Sequence, residues 1–270
     1  MINELPLGQH VSYPEHYDTS VLCAIPRAQG REPLALYELP FQGEDIWTAY
    51  ELSWLNAKGK PQVALGELRV PCESSNMVES KSLKLYFNSF NQSRFNDWAK
   101  VEECVQKDLS EVAGLEVTFK LLSIQDCETQ TLVSLPGQCI DNLDIEISNY
   151  APNAHGLQTT VSERVEETLH SHLLKSNCRI TSQPDWASVV VRYQGAKIDR
   201  ESLLRYIIGF RQHDEFHEPC VEKMYTEILR ECQPEKLTVY ARYTRRGGLD
   251  INPFRSNFER APDNLRLPRQ

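Results

Sequence analysis

The feature that most restricts the fold is an internal repeat. Residues 82–92, SLKLYFNSFNQ, return as residues 202–212, SLLRYIIGFRQ, at an offset of 120. Ser82, Leu83, Tyr86, Phe90 and Gln92 match Ser202, Leu203, Tyr206, Phe210 and Gln212, five identities in eleven positions. Self-similarity at one fixed offset implies that a single supersecondary unit is built twice.

The patterns around each copy follow the same order. In the first, two β-rich runs flank NAKGKP, a hairpin loop. ESKSLKLYFNSFN then spaces its apolar residues as a helix does, and FNDWAKVEECVQKDLSEV follows as an amphipathic helix capped by Asn96 or Asp97. GLEVTFKLLS closes the unit as a strand. In the second, CRIT and ASVVVRYQG read as a hairpin around SQPD. DRESLLRYIIGFRQHD and FHEPCVEKMYTEILRECQ read as helices, with Asp199 near the start of the former, and KLTVYARYT as the final strand. The fold class is α+β: two tandem ββαα units in one chain, with antiparallel sheets and helices on one face. The expected division is an N-terminal arm at 1–45, a first unit at 46–122, a connecting segment at 123–165 and a second unit at 166–270. The arm is expected to be extended, since prolines at 6, 14, 26, 33 and 40 leave it without a sustained period.

Charge narrows the partners. A net charge of −9 disfavours indiscriminate binding to nucleic acid. From Lys236 onward, however, eight Lys or Arg stand against three Asp or Glu, a local excess that suits a phosphorylated ligand or a solvated tail. The eight cysteines contain no C-x-x-C pair, and neither a signal peptide nor an apolar run of membrane length is visible. Reduced thiols, a cytoplasmic location and no membrane partner are expected.

Four stretches carry candidate chemistry. SNCRITSQPDWAS places Cys178 seven residues before Asp185. A thiol can serve as nucleophile if it is deprotonated, and a buried carboxylic acid can supply a proton; a lone cysteine is otherwise core filler. A tight hairpin would put the two about three strand residues apart, roughly 10 Å. HDEFHEPC brings His213, His217, Glu218 and Cys220 close in sequence. The order lacks the Glu after the first His of a helical zinc motif, so no metal is expected there. Pro219 suits a first helical turn, which sets His217 and Glu218 at a helix N-terminus, able either to polarise a ligand or simply to cap. VESKSLKLYF opens a helix at Glu79, Ser80 and Lys81, with Ser80 the expected cap. TRRGGLD, with Arg246 and Gly247, forms either a phosphate-binding turn or a plain loop. No G-x-G-x-x-G occurs.

These motifs resemble the QueF family, the NADPH-dependent 7-cyano-7-deazaguanine reductases of queuosine biosynthesis. ESKSLKLYF matches the family's signature form. ELPFQGEDIWTAYELSWLNAKG, HLLKSNCRITSQPDWAS, FHEPCVEK and CQPEKLTVYARYTRRGGLDINPFRSN resemble its long, two-unit members across nearly the whole chain. The resemblance implies the tunnelling fold, related to that of GTP cyclohydrolase I but without its zinc, and a homodimer acting on a small molecule. It implies that Cys178 forms a covalent thioimide with the nitrile while Asp185 delivers the proton. It also implies that Val78, Glu79, Ser80, His217 and Glu218 bind the base, and that Ser80, Lys81, Arg246 and Gly247 hold NADPH. Two other readings are a non-catalytic tunnelling-fold protein that binds a purine-like ligand, and a cysteine hydrolase that turns a nitrile into an acid.

Overall fold

The computed structural model describes residues 13–127 and 132–270. In chain order the elements are β1 (Ala24–Pro26), α1 (Ala28–Arg31), β2 (Gln42–Leu55), β3 (Pro61–Pro71), β4 (Asn76–Val78), α2 (Ser80–Ser89), α3 (Trp98–Ala113), β5 (Thr118–Leu122), α4 (Ile124–Cys127), β6 (Gln138–Cys139), β7 (Thr159–Asn177), β8 (Pro184–Ile198), α5 (Arg200–Gly209), α6 (His217–Cys232), β9 (Lys236–Tyr243) and β10 (Leu249–Ser256). Two compact units emerge. One takes the described residues of Met1–Gln29, Asp45–Thr131 and Arg245–Ile251; the other takes those of Gly30–Glu44, Leu132–Thr244 and Asn252–Gln270.

In the first unit the strands run in the order β5, β3, β2. Helices α2 and α3 bury Leu83, Tyr86, Phe90, Val101, Val105 and Leu109 in one core with Trp54, Leu68 and Phe119 of the sheet. Burying a large apolar side chain contributes about 1.5–3 kcal/mol, so this shared core fixes the helices to one sheet face. The arm is more ordered than its composition predicts. A short 3-10 helix at Thr19–Val21 precedes β1, which pairs antiparallel with β4, Ala24 opposite Val78. Three-residue strands are too short to impose a period on the sequence. Residues 1–12 of the expected arm lie outside the described residues.

In the second unit the order is β10, β9, β8, β7, β6. Its pairs are antiparallel except for β6, whose two residues run parallel to β7. Two expectations are corrected here. CRIT is not a strand: the hairpin's first strand is β7, and residues 178–181 belong to the turn. The outer half of β7 is mostly exposed, and register shifts at Thr160/Arg164 and Ser171/Leu174 interrupt the alternation that marks a strand. KLTVYARYT is not the last strand either. β10 follows it, fully buried despite its polar sequence, because its polar groups find partners such as Tyr243 N–H on Asn252.

The repeat extends to individual bonds. In α2 the Ser82 N–H donates to the Glu79 carboxylate at 2.6 Å; in α5 the Ser202 N–H donates to Asp199 at 2.8 Å. Each serine hydroxyl accepts from an incoming segment, from Cys23 N–H in one unit and Gln158 N–H in the other, both at 3.1 Å. Tyr86 and Tyr206 each donate to a carboxylate at 2.5 Å, Asp108 and Glu227 respectively.

Candidate active site

In the second unit the site is built at the tip of the β7–β8 hairpin. Asn177 faces Pro184 and Ser176 faces Asp185; one step beyond, the Cys178 N–H donates to the Gln183 carbonyl at 2.8 Å. The register therefore sets Cys178 and Asp185 on one face as diagonal neighbours, roughly 7–8 Å apart. That is closer than the spacing along a strand suggests, because the turn spans 179–182 and Cys178 itself closes it. Both groups are buried, Cys178 at 6% exposure and Asp185 at 3%.

Helix α6 brings His217 and Glu218 to this unit as its first two residues, with Pro219 in the first turn as expected. The His217 ring stacks face to face on Tyr243, centroids 3.7 Å apart and planes within 2°. Its Nε2 lies 3.4 Å from Asp185 Oδ2, ion-pair reach rather than a short hydrogen bond. Its Nδ1 is buried with no hydrogen-bond partner among the described residues. A buried polar atom left unmatched costs about 1–3 kcal/mol, so this nitrogen points to a polar ligand. Phe216 precedes α6 and supplies no side-chain cap, which leaves the helix's first donors to other partners. Glu218 is buried beside them. The helix is anchored one turn on, where buried Glu222 accepts from Arg31 and Arg255, each at 2.8 Å.

The residue that sequence reasoning missed is Tyr243. It ends β9 as the floor under His217, and burial raises its phenol well above the ordinary tyrosine value, beside the Cys220 thiol. The thiol of Cys220 is itself pushed up to about 12 by burial. Burial also lowers the His213 pKa.

The remaining candidates lie in the first unit. Val78 ends β4, and Glu79 rather than Ser80 caps α2, accepting from the N–H groups of Lys81 at 2.9 Å and Ser82 at 2.6 Å. A carboxylate reaches further than a hydroxyl and satisfies both donors, leaving Ser80 at the first helical position. Burial raises the Glu79 pKa, against the two backbone donors that lower it. Lys81 Nζ sits 2.9 Å from the Tyr13 hydroxyl. Gly247 and Gly248 form a tight turn at φ +55° and +74°, closed by Arg246 N–H on the Leu249 carbonyl at 2.8 Å. The positive φ favours glycine, and a Cβ at Gly248 would push the Glu51 carboxyl aside from 2.4 Å while one at Gly247 would lie 3.1 Å from Lys84 Nζ. Lys84 on α2 lies against the turn that carries Arg245 and Arg246, and the Glu51 carboxyl packs on its second glycine, so cations outnumber the one carboxylate there. That chemistry fits a phosphorylated cofactor.

Two family models match the chain. Residues 13–121 match the QueF N-terminal model, described as nitrile reductase, 7-cyano-7-deazaguanine-reductase N-term, and residues 184–262 match the model described as QueF-like protein. The chain belongs to the QueF family. Its two ββαα units are the tandem tunnelling-fold units of that family, and membership places the chain in queuosine-pathway chemistry. The chain is also similar to the archaeosine synthase QueF-Like, whose apo crystal structure matches at 17% identity over 39% of this chain and 100% of that one, with a TM-score of 0.31. No helix among the described residues is long and apolar enough to cross a membrane.

Proposed function

We propose that this chain reduces the nitrile of 7-cyano-7-deazaguanine to the primary amine of 7-aminomethyl-7-deazaguanine, with NADPH as reductant. The observation that carries the reading is the pairing of a buried thiol, Cys178, with a buried carboxyl, Asp185, on one face of a hairpin tip.

A nitrile carbon accepts hydride poorly because the developing charge falls on an unactivated nitrogen. Addition of the Cys178 sulfur forms a C–S bond and leaves one C=N double bond, a thioimide, splitting one hard step into two easier ones. The thiol's proton ends on that nitrogen, handed over by Asp185. His217, against Asp185 and stacked on Tyr243, orients the carboxyl and the bound base. Glu79 and Glu218 accept from the donors of the purine-like edge, and Val78 and Ser80 line the base. Ser80, Lys81, Arg246 and Gly247 hold the cofactor. Bound NADPH supplies hydride, two equivalents per amine. Between them Cys178 leaves as thiolate; the nitrogen takes its second proton from water when the imine is reduced, and water also returns a proton to the Cys178–Asp185 pair before the next cycle. The same reading makes the enzyme a cytoplasmic homodimer acting on a free small molecule.

Stoichiometry tests it. Amine formed with two NADPH oxidised per molecule is the expected result. A carboxylic acid product, or binding without NADPH oxidation, would overturn the reading in favour of a hydrolase or a binding protein.

A further inference from the structure

The face of the second unit's sheet away from Asp185 holds a group that the reduction does not use. His170 and His172 stand two apart on β7, and β6 places Cys139 directly opposite His170. Ser188, which contacts His172, differs in parity from Asp185 along β8, so the two point to opposite faces. One ligand atom from each of Cys139, His170 and His172 lies within 4.8 Å of the others.

The surroundings are those of a metal site rather than of three neutral fillers. His170 Nδ1 lies 2.9 Å from the Pro136 carbonyl oxygen. A carbonyl only accepts, so Nδ1 carries the hydrogen and Nε2 keeps its lone pair, as in a ligating histidine oriented by an outer partner. His172 Nδ1 lies 2.8 Å from Ser188 Oγ, a hydroxyl that can donate or accept, so this contact orients the ring without setting its tautomer. The strand that brings Cys139 is seated by Gly137, at φ +80°, where a Cβ would fall 2.1 Å from the Thr168 carbonyl oxygen. Asp141 then locks the segment, accepting from Ser171 Oγ at 2.6 Å and His172 N–H at 3.0 Å, which occupies its carboxylate outside the ligand set.

We propose that Cys139, His170 and His172 bind a zinc ion that fastens residues 138–141 to β7, with water in the fourth position. One thiolate and two imidazoles suit zinc and not magnesium or calcium, which take oxygen ligands. Neighbouring ligand atoms around tetrahedral zinc lie roughly 3.3–3.6 Å apart, so the group closes by side-chain rotation of about an ångström. The thiol proton is released on binding.

The test uses the full chain, stripped with chelator and titrated with Zn²⁺ alone, then with Co²⁺ as a spectroscopic substitute. One zinc per chain is expected, with a near-ultraviolet sulfur-to-cobalt charge-transfer band. Cys139→Ser should remove the band and weaken zinc binding at least about 100-fold, and His170→Gln should weaken it comparably. No binding by the wild type, or a band that persists in Cys139→Ser, overturns the proposal. Should a variant fail to fold, the wild-type stoichiometry and band still decide, because a wild type without them contradicts the site outright.

Discussion

The two units share a scaffold and differ at the places where chemistry is proposed. Each caps its first helix with a carboxylate, receives an incoming segment on a serine hydroxyl, and ties a tyrosine to a buried acid. The hairpin tips diverge. In the first unit the loop closes on Asn56, whose side chain accepts from Lys58 N–H at 2.9 Å and Lys60 N–H at 3.0 Å. In the second the closing residue is Cys178, a side chain that does nothing for its turn. The second helices diverge as well. Asp97 caps α3 by accepting from Lys100 N–H at 2.8 Å, and Trp98 packs edge-on against Trp54. α6 takes no side-chain bond from its N-cap residue Phe216, and His217 lies flat on Tyr243. The side-chain bonds that Asn56 and Asp97 make to backbone in one unit have no counterpart from Cys178 and Phe216 in the other. On the proposed function, the difference separates a half that closes its hairpin with a polar side chain from a half that offers a thiol there.

Breaking the comparison at the hairpin should have the largest effect. Cys178→Ala is expected to lower NADPH oxidation at least about 10⁴-fold, and adding Asn56→Cys to that variant should restore nothing. Asp185→Asn should cost about 10²–10⁴ in turnover while leaving substrate binding within a few fold, read by separate kcat and KM measurements.

The shared features predict matched stability losses instead. Tyr86→Phe and Tyr206→Phe should each destabilise by about 1–3 kcal/mol, because each strips a donor from a buried carboxylate. Burial is the main cause raising both phenols above the ordinary tyrosine value. A raised folded-state pKa gives stability that is present below about pH 10 and lost as pH rises further, so both variants should unfold less steeply than wild type under alkali. Equal slopes in wild type and variants would contradict this.

Capping gives the smallest effects. Asp97→Ala should cost about 1 kcal/mol by denaturant titration, with kcat unchanged. Glu79 provides a pH signature, since burial raises its pKa. Its contribution is greatest near and below about pH 4 and declines as pH rises, so wild type should lose stability relative to Glu79→Gln across that climb.

The sequence disclosed those elements whose apolar spacing survives on its surface. Tyr86, Phe90, Tyr206 and Phe210 recur at one offset because both helices bury the same face, and that alone predicted two units. β7 was hidden because its outer half carries charge on exposed positions and its bulges disturb the alternation. β10 was hidden because its polar residues are buried through partners distant in sequence. Of the candidate site, the thiol, the carboxyl and the histidine could be named from motifs, but their diagonal placement depends on a strand register that no local pattern encodes. Tyr243 gave no signal beyond its place at the end of a strand, and the His170–His172 spacing gains meaning only when β6 sets Cys139 opposite.

The most direct measurement is the intact mass of the protein after mixing with 7-cyano-7-deazaguanine in the absence of NADPH. A single adduct equal to the substrate's mass on wild type, absent from Cys178→Ala and present in Asn56→Ala, is the predicted result. Folded wild type that gains no mass, or an adduct that survives in Cys178→Ala, would contradict the assignment of the chemistry to the second unit's hairpin.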